Sequence, residues 1–83
     1  MKTKPTKNTV SFKDAVSAIG LADKHVSKGH MQVSAHLALA DARGALAEGL
    51  YGYALTQALN SISYSVGVLH PDYAYVKSLG GLE

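Results

Sequence analysis

The chain has 83 residues, no cysteine and a formal net charge of +2. That length holds one domain near the lower limit of what a single core supports. The absence of cysteine excludes a disulfide framework and a thiolate metal site, so the composition predicts an intracellular, cytoplasmic protein. Much of the apolar content is alanine, which buries little area per residue, and association with further copies is a common remedy for so thin a core.

Residues 1–9 carry Lys2, Lys4 and Lys7 around Pro5, with no apolar run of signal-peptide length behind them. They read as a disordered basic arm, followed by a helical domain over 10–79 and a tail over 80–83. Six lysines stand against Asp14 and Asp23 up to Lys28; beyond it, Arg43 and Lys77 stand against Asp41, Glu48, Asp72 and Glu83. The chain is basic at one end and mildly acidic at the other.

The first helix is predicted over about 11–28. Ser11 is placed to cap it, with Asp14 three residues on, and Phe12, Ala15, Val16, Ile19, Ala22 and Val26 recur at helical spacing. Gly20 weakens such a helix, so it predicts close contact with another backbone or a bend. Gly29 is a natural stop.

The second helix is predicted over about 31–48 with apolar residues on two sides. Val33, Leu37, Ala40, Gly44 and Ala47 form one face, and Ala35, Leu39, Ala42 and Leu46 the other, the pattern of a central helix. Gly49 ends it, and a third helix follows over about 51–69. Tyr51, Leu55, Ala58, Leu59, Ile62, Val66 and Leu69 make its main stripe, while Tyr53, Tyr64 and Val68 leave little polar surface. So apolar a helix predicts cover from outside its own chain. Pro71 should stop it, and Asp72 should cap a short helical turn through Tyr73, Tyr75, Val76 and Leu79. The stretch 45–64 holds one charge, Glu48, but too many polar residues for a membrane span. The fold class is therefore all-α, a three-helix bundle with a C-terminal helical turn, acting as an oligomer.

Ala42, Ala45, Gly49, Tyr51, Ala54, Ala58, Ser61 and Ile62 stand at the small, glycine and aromatic positions of a helical hairpin. Over 35–68 the chain resembles a single tetratricopeptide repeat, departing from it at Ala38, Asp41 and Val66. The resemblance implies a module that binds peptides or proteins. By length, lysine arm and lack of cysteine the chain is also similar to small helical proteins of phages and plasmids.

No catalytic pattern accompanies these elements. The four histidines, His25, His30, His36 and His70, contain no His-x-x-x-His or Glu-x-x-His spacing, which predicts no metal site. His25 and His30 suit a helix C-terminus, where the dipole favours a cation. No serine lies in a Gly-x-Ser-x-Gly elbow, and sequence adjacency does not make His70, Asp72 and Tyr73 a base with its orienter. The expectation is a protein that is not an enzyme and has no cofactor.

The tyrosines are the best contact residues, since tyrosine suits a site with one buried edge and one wet one. Tyr53, Tyr64, Val68, Tyr73, Tyr75 and Val76 are the predicted protein-interaction residues, with Tyr51 and Tyr64 serving mainly structure. The reading is a homo-oligomeric interaction module, an adaptor or inhibitor of a larger protein. A second reading is nucleic-acid binding through Lys4, Lys7, Lys13, Lys24 and Lys28, weakened by the presence of only one arginine. A third is a nucleotide or small-ligand pocket between subunits, with tyrosines stacking and His36, Arg43 or lysines meeting charge.

Overall fold

The computed structural model describes residues 10–28 and 33–81, and the described residues form four helices and no strand. They are α1 (Phe12–Val26), α2 (Val33–Ala47), α3 (Tyr51–Val66) and α4 (Pro71–Leu79). None of them is long and apolar enough to cross a membrane. The arm with Lys2, Lys4 and Lys7, the stop at Gly29 and residues 82–83 of the predicted tail lie outside the described residues.

Each helix boundary has a local cause. Ser11 caps α1, its Oγ accepting from the Asp14 N–H at 3.1 Å, as the spacing predicts. At the end of α2, Gly49 adopts φ +80°; its N–H donates to the Leu46 carbonyl and the Leu50 N–H reaches back to Ala45. This is the Schellman closure, which needs a left-handed residue and so favours glycine. Gly67, at φ +95°, ends α3 earlier than predicted, its N–H donating to Ile62 and Ser63. Pro71 therefore does not stop α3. It opens α4, where its fixed φ and missing N–H suit the first turn. The predicted cap also changes hands, because His70 caps α4 and Asp72 follows inside the first turn.

The helices run alternately up and down. Ser61 Oγ donates to the Ala35 carbonyl and Gln57 Nε2 to Asp41, so ascending positions on α3 meet descending positions on α2. Phe12 meets Tyr51 edge-on at 5.6 Å, joining the starts of α1 and α3, while His25 meets the residues that open α4. α3 touches α1, α2 and α4; α4 touches α3 and α1 but not α2. The central helix is thus α3: Ala54 and, of its predicted stripe, Leu55, Ala58, Leu59 and Ile62 are buried within the chain, whereas Tyr53, Tyr64, Val68 and Leu69 are exposed. Of the two apolar faces predicted for α2, the one with Ala35, Leu39 and Ala42 is buried. Val33, Leu37, Ala40, Gly44 and Ala47 are exposed.

Nine of the sixteen buried apolar residues among those described are alanine, so close approach of backbones does more of the packing than side-chain volume. Leu55 and Ile62 from α3 and Val76 from α4 are the largest apolar side chains fully enclosed. Gly20 makes no close contact: it is exposed, and a Cβ there would meet nothing within 4 Å.

Candidate functional site

Two places combine defined geometry with chemically useful groups. The first joins the last turn of α1 to the first turn of α4. Burial of α1's apolar stripe carries His25 inward with it, leaving the residue 5% exposed. Its Nε2 stands 2.6 Å from Asp72 Oδ2. The Asp72 carboxyl is held below its ordinary value, chiefly by this hydrogen bond, with burial opposing it and the positive charge of Lys24 adding to it. An ionised carboxylate only accepts, so His25 Nε2 carries the hydrogen of that bond.

His70 completes the group. Its Nδ1 accepts from the Asp72 N–H at 3.0 Å, which fixes the hydrogen of the neutral ring on Nε2. Its ring packs edge-on against His25 with centroids 4.7 Å apart. Among the described residues, His25, His70 and Asp72 form a set whose candidate ligand atoms all lie within 4.8 Å of one another. His25 therefore does more than sit at a helix terminus. The pairing eluded sequence reasoning because its members are 47 positions apart; the available signal was a histidine, His25, lying beside Val26 at the end of α1's buried stripe.

The second place is a trough between α2 and α3. Two clefts, of about 320 and 240 Å³, share Asp41. Leu37, Asn60 and Tyr64 line the first; Gly44, Glu48, Leu50 and Tyr53 line the second. A polar line connects them: Asn60 Nδ2 donates to Gln57 Oε1 at 2.7 Å, and Gln57 Nε2 donates to Asp41 Oδ2 at 3.2 Å and Tyr53 Oη at 3.1 Å. The charged groups lining the trough are Asp41 and Glu48, with no lysine, arginine or histidine among its lining residues.

The predicted interaction residues do not form one surface. Tyr53 and Tyr64, each about half exposed, line the trough. Val68 is exposed in the α3–α4 connection and Tyr75 on α4. Tyr73 packs partly buried against the core. Val76 is fully buried and offers nothing to a partner, because α4 is a complete helix that turns this position onto the core. Leu37 and Leu50, absent from the predicted set, are 63% and 53% exposed and belong to the trough.

Lys13 and Lys24 on α1 and Lys28 in the turn after it are exposed, whereas Lys4 and Lys7 lie outside the described residues. Arg43 is held by Asp23 at 2.7 Å. His36 is exposed on α2 and lines neither cleft.

No family model, curated protein or solved structure matches this chain.

Proposed function

We propose that this protein is a small helical interaction module, not an enzyme, whose α2–α3 trough receives a cationic amphipathic segment of another protein. The observation that carries the reading is the lining of the trough. Leu37, Leu50, Tyr53 and Tyr64 present exposed apolar surface while the only charges, Asp41 and Glu48, are negative. A segment with apolar side chains on one face and lysine or arginine at its margin satisfies both features, the helix-in-groove mode of recognition. The Asn60–Gln57–Asp41 hydrogen bonds hold the polar floor in place before binding, which lowers the ordering cost of association.

Charge also favours a foreign occupant over a second trough of the same chain. A two-fold dimer closing trough on trough would set Asp41 and Glu48 of one copy against those of the other, a like-charge juxtaposition.

The test uses a synthetic amphipathic peptide of leucine and lysine, and the same peptide with glutamate replacing lysine, titrated into the full chain and followed residue by residue by NMR. The expected result is a saturable shift of Gly44, Leu37, Tyr53 and Tyr64 with the lysine peptide, weakening with added salt, and none with the glutamate peptide. Gly44→Arg should fold normally, because a Cβ at Gly44 meets nothing within 4 Å, and should abolish binding by filling and recharging the trough. Equal response to both peptides, no response, or shifts confined to α4 would overturn the reading.

A further inference from the structure

We propose that His25, His70 and Asp72 bind a borderline divalent transition-metal ion such as Zn²⁺, clipping the start of α4 to the end of α1. Two imidazoles and a carboxylate are a donor set suited to Zn²⁺ and its neighbours in the first transition row, less so to Mg²⁺ or Ca²⁺, which prefer oxygen throughout. Three protein ligands leave a tetrahedral ion one further position for water or another donor.

The spacing supports the assignment. Ligand atoms at ordinary zinc distances lie roughly 3.3 Å apart around a tetrahedral ion. Here the His25 Nε2–Asp72 Oδ2 separation is 2.6 Å and the His70 Nδ1–Asp72 Oδ2 separation is 3.9 Å, so the observed values bracket that figure. Loading requires the first contact to open and the second to close by several tenths of an ångström each. The ion takes the place of the hydrogen on His25 Nε2, which moves to Nδ1 of the neutral ring, so the imidazole binds as a neutral ligand.

The surroundings favour a fixed site over a chance encounter of side chains. His25 is anchored by burial, with its side chain 6% exposed, and the Asp72 side chain is three-quarters covered. The α1 carbonyls near His25 add negative potential, and the Asp72 carboxylate offsets the positive end of α4. One local contact must yield: the His70 Nδ1 lone pair now accepts from the Asp72 N–H, and the ion competes for it. The site stands on α1 and α4 and shares no residue with the α2–α3 trough, so the two proposals fail separately.

The experiment titrates Co²⁺ into the full chain at neutral pH and reads the visible absorption of the tetrahedral ion, then displaces it with Zn²⁺. We expect one equivalent to saturate the signal with a dissociation constant in the micromolar range or tighter. His70→Asn keeps a side chain able to cap α4 and removes an imidazole ligand, while Asp72→Asn keeps shape and removes charge. Each should weaken binding at least about tenfold, since loss of even the outer partners of metal ligands has effects of that size. Should either variant lose its helical circular dichroism, ¹⁵N spectra of the wild-type imidazoles decide: Zn²⁺ should shift His25 and His70 and leave His36 unmoved. No one-to-one Co²⁺ signal, a signal that survives both substitutions in folded protein, or shifts centred on other histidines would overturn the proposal.

Discussion

His25 Nε2 and Asp72 Oδ2 stand 2.6 Å apart across 47 positions of sequence, and their contact joins the end of α1 directly to the beginning of α4. Because the folded carboxyl of Asp72 lies below its ordinary value of 3.8, the unfolded chain holds that proton more tightly. The stability linked to it is complete above the ordinary value and is lost as pH falls below it through the folded value. Denaturation midpoints measured in chelator from about pH 5 down to about pH 2.5 should fall in wild type and fall less steeply in Asp72→Asn. Identical slopes would mean that the pair contributes nothing to acid stability.

Gly20 and Gly49 should respond to alanine with opposite signs. Gly20 lies inside α1 with open space where a Cβ would go, so Gly20→Ala should stabilise the fold by about 0.5–1 kcal/mol through helix propensity and a restricted unfolded chain. Gly49 has equal space but a φ of +80°, and Gly49→Ala should destabilise by about 1–2 kcal/mol. Urea denaturation of both variants makes the comparison, and matching signs would show that space rather than backbone conformation governs these positions.

Ser61→Ala should lower stability by about 1 kcal/mol, the usual net worth of one intramolecular hydrogen bond. The Ser61 hydroxyl is fully buried and donates to the Ala35 carbonyl at 2.8 Å, clipping α3 to α2. That carbonyl lies in the first turn of α2, where the helix ladder offers it another donor, so the alanine variant strands no buried partner. Ser61→Val replaces the hydroxyl by a methyl and adds a second methyl at a seam of alanines, and should cost more, about 1–3 kcal/mol, through overpacking. A valine variant as stable as alanine would show that the seam has room.

The elements governed by neighbours in sequence were readable before the fold was known. Ser11 with Asp14, Gly49 between two apolar runs, and Pro71 ahead of a short periodic segment each carry a local physical signal, and each lies within two residues of a helix boundary. What the residues alone left open depends on tertiary placement. The exposed face of α2, with Leu37, Ala40 and Gly44, has the same apolar spacing as its buried face, so periodicity could not say which face meets α3. The stop at Gly67 was hidden because Pro71, a stronger breaker, stands four residues later. The His25–His70–Asp72 cluster has no spacing signature, since its members come from two helices that meet only when α4 folds back across α3.

The alanine-rich seam between α2 and α3 bears on how quickly the chain reaches its native state. Alanine has no rotamers to surrender, so closing that seam forfeits almost no side-chain freedom. The two helices are joined by a tight glycine turn and meet through residues near in sequence, the low-contact-order arrangement that folds in microseconds to milliseconds. The hairpin is therefore suited to form early, with α1 and α4 arriving on a surface already in place and the long-range contact between His25 and Asp72 among the last to be made.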